Sequence, residues 1–151
     1  MTHYYPPPGF HFRVDVQGLK PHESDMRFTE VSGLAMELLT EEIPEGGENR
    51  FVQKYPSRTK YPELVLKRGL LTNSEILVWI EECVGGLQIT PRDINVILLN
   101  DDHEPLLTWH LTKAFPTKWA TSDLNAMNNA VVIETIQFFY QTFTLNKAIK
   151  K

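Results

Sequence analysis

The stretch EVSGLAMELLTEEIPEGGENRFVQKYPSRTKYPELVLKRGLL, residues 30–71, decides the fold prediction, because it combines predicted strands, a long interruption and an unusual charge pattern. The charged residues in 37–48 are all acidic, whereas those in 50–68 are basic apart from Glu63. If the two blocks are the arms of one hairpin, opposite charges pair across its strands. If the segment projects instead, an acidic patch on one copy can meet a basic patch on the next, and such head-to-tail contacts close rings or build filaments.

The middle of this stretch is predicted to be a long projecting loop. PEGGEN at residues 44–49 breaks regular structure, and Pro56 interrupts the chain again. Loops longer than about a dozen residues are usually functional or disordered. The interleaved aromatic residues Phe51, Tyr55 and Tyr61 argue against disorder. We therefore expect another surface to cover them.

Short periodic patterns on either side predict a mainly β protein. Residues 10–17 alternate strictly between apolar and polar side chains, which is typical of a half-buried antiparallel strand. Further strands are predicted over residues 26–31, 34–43, 64–70, 94–99, 106–111 and 131–145. The last of these is too long for a small sheet unless it crosses a corner or meets a neighbour.

One flanking α-helix is predicted over residues 73–84. It begins at a capping box formed by Thr72 and Glu75 and ends at two consecutive glycines. Apolar residues recur at helical spacing, so this face should pack on the sheet. They are Ile76, Ile80, Cys83 and Val84. About seven strands and one helix favour a β-barrel or sandwich over an α/β arrangement.

Size and composition narrow the class of protein. The 151 residues predict a single domain, residues 1–151, with an extended lead-in at 1–9 and a basic tail at 146–151. A net charge of -4 gives no global attraction to nucleic acid or to an anionic membrane. The lone Cys83 excludes an internal disulfide. The sequence shows neither a signal peptide nor a membrane span, so we expect synthesis in the cytoplasm and no direct membrane anchoring.

Enzymatic chemistry has little support. The sequence has no glycine-rich phosphate loop, no nucleophile elbow and no zinc-protease motif, so we predict no catalytic residue, no cofactor and no metal site. The run from Asn100 to Glu104 could hold a cation, but its spacing is not that of a calcium loop, and a solvated turn is favoured. His11 and His110 lie on predicted strands and could meet by folding. An enzyme that uses His103 or His110 is the least supported alternative.

A binding module is a second alternative. The basic run around Arg50, Lys54 and Arg58 carries aromatic residues and could bind single-stranded nucleic acid through stacking and phosphate contacts, or another ligand. The acidic block just upstream favours a protein–protein surface instead.

Several segments, in this order, resemble one known family. They are FTEVSGL at 28–34, EGGEN at 45–49, LKRG at 66–69, AFPTKW at 114–119 and VIE at 132–134. This succession resembles the inner tube proteins of contractile injection systems, which include contractile-phage tail tubes and the type VI secretion tube. The resemblance spans nearly the whole chain. It implies a structural protein with a tail-tube-like barrel fold, and not an enzyme. It also implies that the protein forms hexameric rings, which stack into a hollow tube. Contraction of a surrounding sheath propels this tube.

The resemblance also implies roles for particular residues. In that family the long arm contacts neighbouring subunits, and this favours the projecting geometry over a self-contained hairpin. The predicted subunit interface consists of Glu45, Gly46, Gly47, Glu48, Asn49, Arg50, Lys54, Arg58 and Lys60. The two glycines would let backbones approach closely.

Expected partners are further copies, adjacent rings, sheath, and baseplate or spike proteins, with no nucleic acid. The segments YPPPGFHFR at 5–13, EGGENRF at 45–51 and RTKYP at 58–62 look more like the tube initiator, which forms the first ring on the baseplate, than like the repeated subunit. Such a particle is assembled in the cytoplasm and is extracellular after release.

Overall fold

The structure is a computed structural model that describes residues 11–20, 23–43, 53–127 and 130–147. Within these ranges the chain is mainly β. The strands are β1 (His11–Val16), β2 (Arg27–Phe28), β3 (Glu30–Ser32), β4 (Glu37–Ile43), β5 (Gln53–Lys60), β6 (Leu64–Gly69), β7 (Arg92–Leu99), β8 (Pro105–Thr121), β9 (Ile133–Phe139) and β10 (Phe143–Lys147). A 3₁₀ turn, Glu23–Met26, precedes β2, and helix α1 (Glu75–Ile80) continues into one π-helical turn, Glu81–Gly85.

Eight of these strands form one antiparallel sheet around a bent central strand. Their spatial order is β2-β1-β7-β8-β9-β6-β3, with β10 also paired to β8. The first half of β8 pairs with β7 and β10, and its second half pairs with β9. Between the halves, Lys113 has a φ of 50°, and the register with β7 shifts beside it. The bend folds the sheet over itself, which confirms the predicted β-barrel or sandwich class.

The outermost strands of this order are joined directly by the chain. β2 ends at Phe28 and β3 begins at Glu30, so Thr29 alone connects the two ends of the sheet. The Thr29 N–H donates to the Lys67 carbonyl oxygen at 3.0 Å, and its hydroxyl donates to the same oxygen at 3.1 Å. The barrel is therefore closed at this seam by covalent continuity rather than by an unbroken ladder of strand pairs.

A buried ionic cluster lies beside the seam. Arg68 on β6 is 3% exposed and makes ion pairs with Asp25 at 2.8 Å and with Glu134 on β9 at 2.9 Å. Its guanidinium also donates to the Asp25 carbonyl oxygen and to the Ser74 hydroxyl, and lies over the Phe28 ring. One cation thus links the 3₁₀ turn, β2, β6, β9 and the start of α1.

The core lies inside the bent sheet, and alternating residues of each strand fill it. Val14 and Val16 of β1, Ile94 and Val96 of β7, Leu64 and Leu66 of β6, and Ile136 and Phe138 of β9 are buried. Helix α1 covers the open side. Its Trp79 stacks on Phe138, with 5.7 Å between ring centroids, and donates its indole N–H to the Thr90 carbonyl oxygen at 2.9 Å.

The predicted start of the helix is wrong. Ser74, not Thr72, is the N-cap, and its hydroxyl oxygen accepts from the Leu77 N–H at 3.1 Å. A carboxylate distant in sequence completes the cap, since Asp25 accepts from the Glu75 N–H at 2.9 Å. Because only the fold brings Asp25 there, the local capping pattern at residues 72–75 was misleading.

The predicted helical face is only partly correct. Ile76, Ile80 and Cys83 are buried as expected, but Val84 is 43% exposed. The last turn is π-helical, and its extra residue per turn rotates Val84 away from the sheet. The helical segment also ends at Gly85, one residue beyond the predicted range of 73–84.

Three predicted strands differ from the structure by more than a small shift of their ends. Residues 26–31 form two strands, β2 and β3, at opposite ends of the sheet, and residues 131–145 form β9 and β10 with a break at residues 140–142. The strand that crosses the corner is β8, of which the predicted strand 106–111 is only the beginning. Its bend faces the break between β9 and β10, where Thr112 and Thr142 still contact each other. The described residues therefore contain ten strands instead of seven.

The predicted projecting loop is a separate two-stranded hairpin, β4–β5, called the arm below. Glu37 lies opposite Lys60 and Glu42 opposite Lys54, so the acidic and basic blocks pair across the strands. This pairing is the hairpin alternative, and the contact of the arm with a neighbouring copy stays a prediction. Strand β5 continues through Pro56, which a strand with a free edge tolerates. Residues 44–52 lie outside the described residues.

Candidate subunit interface

Three of the nine predicted interface residues can be placed. Lys54, Arg58 and Lys60 all lie on β5 and are exposed. The other six, Glu45, Gly46, Gly47, Glu48, Asn49 and Arg50, fall outside the described residues. Exposed cross-strand charge pairs contribute at most about 1 kcal/mol. The charges of the arm are therefore a weak source of its own stability and remain accessible to another molecule.

The arm and Met36, the residue just before it, also expose apolar side chains. Met36 and Leu38 are each 58% exposed and Tyr55 is 42% exposed. A set of large apolar groups on a thin, two-stranded element is typical of a surface that a partner covers. Sequence reasoning singled out Tyr55 but missed Met36 and Leu38. The apolar character of residues 34–39 was assigned to an ordinary strand.

Aromatic packing anchors the arm at its base. Tyr61, just after β5, packs edge-on against Phe143 at 5.2 Å and against Tyr140 at 5.9 Å between ring centroids. The Tyr140 hydroxyl donates to the Gly33 carbonyl oxygen at 3.4 Å. Burial, and next the neighbouring Tyr61, raises the pKa of Tyr140 to about 12. The base of the arm is thus fixed to the barrel, whereas its outer part is exposed.

Strand β10 supplies a second candidate contact surface. It pairs with β8 along one edge, and no strand of the described residues pairs with its other edge. Its residues after Phe143 are exposed. An unpaired edge carries free N–H and C=O groups that can pair with another chain. At the far end of the same half-sheet, β1 is covered by β2 only at Phe12 and Arg13.

The residues of the β7–β8 turn, which the sequence analysis considered for cation binding, have a structural role. In the turn between β7 and β8, the Asn100 side-chain oxygen accepts from the N–H groups of Asp102 and Glu104, each at 2.9 Å. No group of three or more His, Cys, Asp or Glu suited to a metal ion occurs in the part of the chain that the structure describes. In that same part, no helix is long and apolar enough to cross a bilayer.

His11 and His110, which the sequence allowed to meet by folding, do not contact each other. His110 contacts Asn95 at 2.6 Å and Asp93 at 3.4 Å, whereas His11 lies 2.8 Å from His103. The reason is register: His11 lies opposite Leu99, the last residue of β7, and the following turn folds back towards it.

Solved structures with this fold come from contractile injection systems. A chain of the anti-feeding prophage baseplate, in a six-fold symmetrised cryo-EM structure, is 26% identical with a TM-score of 0.83, covering 97% of this chain and 98% of that chain. A chain of the PVC extracellular contractile injection system, from its sheath–tube complex in the extended state, is 27% identical with a TM-score of 0.77, covering 96% and 94%. Hcp1 from Flavobacterium johnsoniae shares the fold, with 12% identity, a TM-score of 0.53 and coverage of 91% and 96%. No curated protein sequence matches the chain significantly.

The fold and these relatives define a structural tube protein of a phage-tail-like particle. Residues 8–144 match the family model of the T4-like virus tail tube protein gp19, and the chain belongs to this family. This confirms the predicted family and the structural tube role. The family and the solved relatives support neither the enzyme nor the nucleic-acid-binding alternative.

Proposed function

We propose that six copies of the chain form a closed ring and that this ring is part of the stacked inner tube of a contractile injection system. The observation that carries this proposal is the edge of β10 that no described strand pairs with, at one end of a half-sheet whose other end, β1, is only partly covered by β2. Joining one end to the other in the next copy uses two different surfaces, so the contact is heterologous and a rotation closes it into a ring. The six-fold baseplate relative supports the number six.

The arm forms the second contact, to a neighbouring subunit. Its charges pair within the hairpin, while Met36, Leu38 and Tyr55 remain exposed for a partner. The proposed contact includes the predicted interface residues Lys54, Arg58 and Lys60 on β5. It also includes the six that lie between β4 and β5 in the sequence, Glu45, Gly46, Gly47, Glu48, Asn49 and Arg50. Many copies that each bury a modest surface give a rigid cylinder through repetition.

Within the particle, the chain is the tube initiator, which forms the first ring on the baseplate. Support comes from the initiator-like segments at 5–13, 45–51 and 58–62 and from the relative solved in a baseplate. Its partners are then the next tube ring, the sheath and the baseplate or spike proteins. Assembly takes place in the cytoplasm and the particle is released from the cell.

Electron microscopy of the purified protein tests ring formation. We expect rings or short tubes of constant diameter; a protein that stays monomeric at high concentration, both alone and with its baseplate partners, contradicts the proposal. The double change Glu45→Lys and Glu48→Lys should block stacking and leave the monomer folded. The matched control, Asp101→Lys with Asp102→Lys in the exposed turn, should still assemble. If rings still stack after this charge reversal, the arm is not part of the stacking interface.

Proline substitutions test the β10 edge. Alternate residues of a strand direct their N–H groups to opposite sides, so one of Thr144→Pro and Leu145→Pro removes a hydrogen bond to β8 and the other removes an N–H from the free edge. Circular dichroism identifies the variant that keeps the folded barrel. That variant should form no rings. If it forms rings as the unchanged protein does, the β10 edge is not the ring contact.

A further inference from the structure

Two histidines face each other at the end of the barrel where β1 begins. The His11 Nε2 and His103 Nδ1 atoms are 2.8 Å apart, and the rings stand edge to face with 4.8 Å between centroids. Among the described residues, neither ring has another hydrogen-bonding partner. We propose that this pair binds one divalent transition-metal ion of the zinc class, with water completing the coordination.

The backbone fixes both histidines, which favours such a site. His11 belongs to a strand in continuous register with β7. His103 lies in the β7–β8 turn with a φ of 60°, and its N–H donates to the Asn100 carbonyl oxygen at 3.0 Å. The Asn100 side chain holds the same turn through two further hydrogen bonds. Two imidazoles that the fold already brings together need little ordering to bind a shared ion.

The distance between the two nitrogens is close to what a metal requires. Zinc binds imidazole nitrogen at about 2.0–2.1 Å in a tetrahedral arrangement, which separates two ligand nitrogens by about 3.3 Å. A rotation of the exposed His103 side chain supplies the difference of roughly half an ångström. Imidazole suits Zn²⁺, Ni²⁺ and Cu²⁺ and does not suit Mg²⁺ or Ca²⁺, which prefer oxygen ligands.

The surroundings leave room for water and contain arginines. Cavities of about 470 and 510 Å³ both border His103. Both histidines line the smaller cavity together with Arg27 and Arg68, and Arg68 is already paired with Asp25 and Glu134. Arg13 and Arg27 line the larger one together with Asp15, which lies 3.1 Å from Arg13. With two protein ligands the site is weak and open rather than a closed structural centre.

Metal binding competes with protons at this site. Without metal, one imidazole donates its N–H to the other. With metal, both facing nitrogens must be unprotonated, so each ring carries its remaining proton on the opposite nitrogen.

Calorimetric titration of the untagged full-length chain with ZnCl₂, and with MgCl₂ as the comparison ion, tests the proposal. We expect one zinc ion per chain and no heat from magnesium. His11→Ala and His103→Asn should each weaken zinc binding at least tenfold; asparagine is chosen because it tolerates the positive φ. His110→Ala is the matched control and should bind as the unchanged chain does, because Asn95 and Asp93 already engage its ring.

Two results overturn the proposal. One is the absence of zinc binding at millimolar concentration in a chain that circular dichroism shows to be folded. The other is zinc binding that His11→Ala or His103→Asn leaves unchanged. A rise in melting temperature with zinc, present in the unchanged chain and lost in both variants, gives a second readout. Neither measurement depends on ring formation.

Discussion

Replacing Arg68 by methionine should destabilise the barrel more than any surface change. Methionine fills much of the same volume but leaves the carboxylates of Asp25 and Glu134, each 1% exposed, without their cation. Removing one partner of a buried ion pair costs about 3–5 kcal/mol. Domains of this kind have a free energy of unfolding of about 5–15 kcal/mol, so the variant loses a large part of its stability.

Urea unfolding followed by tryptophan fluorescence measures this loss. For a slope of about 2 kcal/mol/M, a loss of 3–5 kcal/mol lowers the midpoint by about 1.5–2.5 M urea. All variants are compared at one low protein concentration, because assembly adds apparent stability. The matched control is Lys67→Ala on the same strand. Its exposed amine lies 3.9 Å from Glu30, and its loss should cost less than about 1 kcal/mol.

A double variant tests the electrostatic cause. Adding Glu134→Leu to Arg68→Met removes the carboxylate that the first change leaves unpaired, so the double variant should be more stable than Arg68→Met alone. Asp25 keeps its hydrogen bonds from the Ser74 hydroxyl and the Glu75 N–H. The reasoning is refuted if Arg68→Met lowers the free energy of unfolding no more than Lys67→Ala does. It is also refuted if adding Glu134→Leu lowers the free energy of unfolding again by as much as Arg68→Met did.

Three other predictions concern local features. Ser74→Ala should cost about 1–3 kcal/mol in urea unfolding, because the N-cap is lost and the buried Asp25 and Arg68 each lose a hydrogen-bonding partner, whereas Thr72→Ala should stay within about 0.5 kcal/mol; equal effects would contradict the assigned cap. Gly33→Ala should cost at least about 2 kcal/mol, since φ is +90° and a Cβ would lie 2.0 Å from the carbonyl oxygen that precedes β6; Gly85→Ala, with open space around it, is the control. Tyr140 has a folded pKa of about 12 against 10 when unfolded, so its contribution is complete below pH 10 and is lost as the pH rises towards 12; ultraviolet titration should show one phenol ionising late, and Tyr140→Phe should abolish that late step.

Strict alternation made part of the fold predictable. The strand at residues 10–17 was found because apolar and polar side chains alternate, so the period of two is visible in the sequence itself. Strand β5 was missed because its residues are exposed on both faces and Pro56 interrupts it. A strand without a buried face leaves no periodic pattern, and only its pairing with β4 defines it.

Contacts between distant residues could not be predicted from local spacing. The helix cap depends on Asp25, which is 49 residues away from Ser74, and the histidine pair joins residues that are 92 apart. The free edge of β10 is also invisible in the sequence, because whether a strand has one neighbour or two depends on the whole topology. By contrast, the opposed charges of the arm were evident, since each block is contiguous.

The arm hairpin has a consequence for how this protein can change over generations. Among the described residues its strands pair only with each other, and its outer side chains support no core, so substitutions there cost the barrel little stability. Mutations can therefore accumulate in the arm while the barrel still folds, and under the proposed function they alter which neighbour the arm contacts. Subunits that occupy different layers of a particle can in this way share one inherited barrel and differ mainly in their arms.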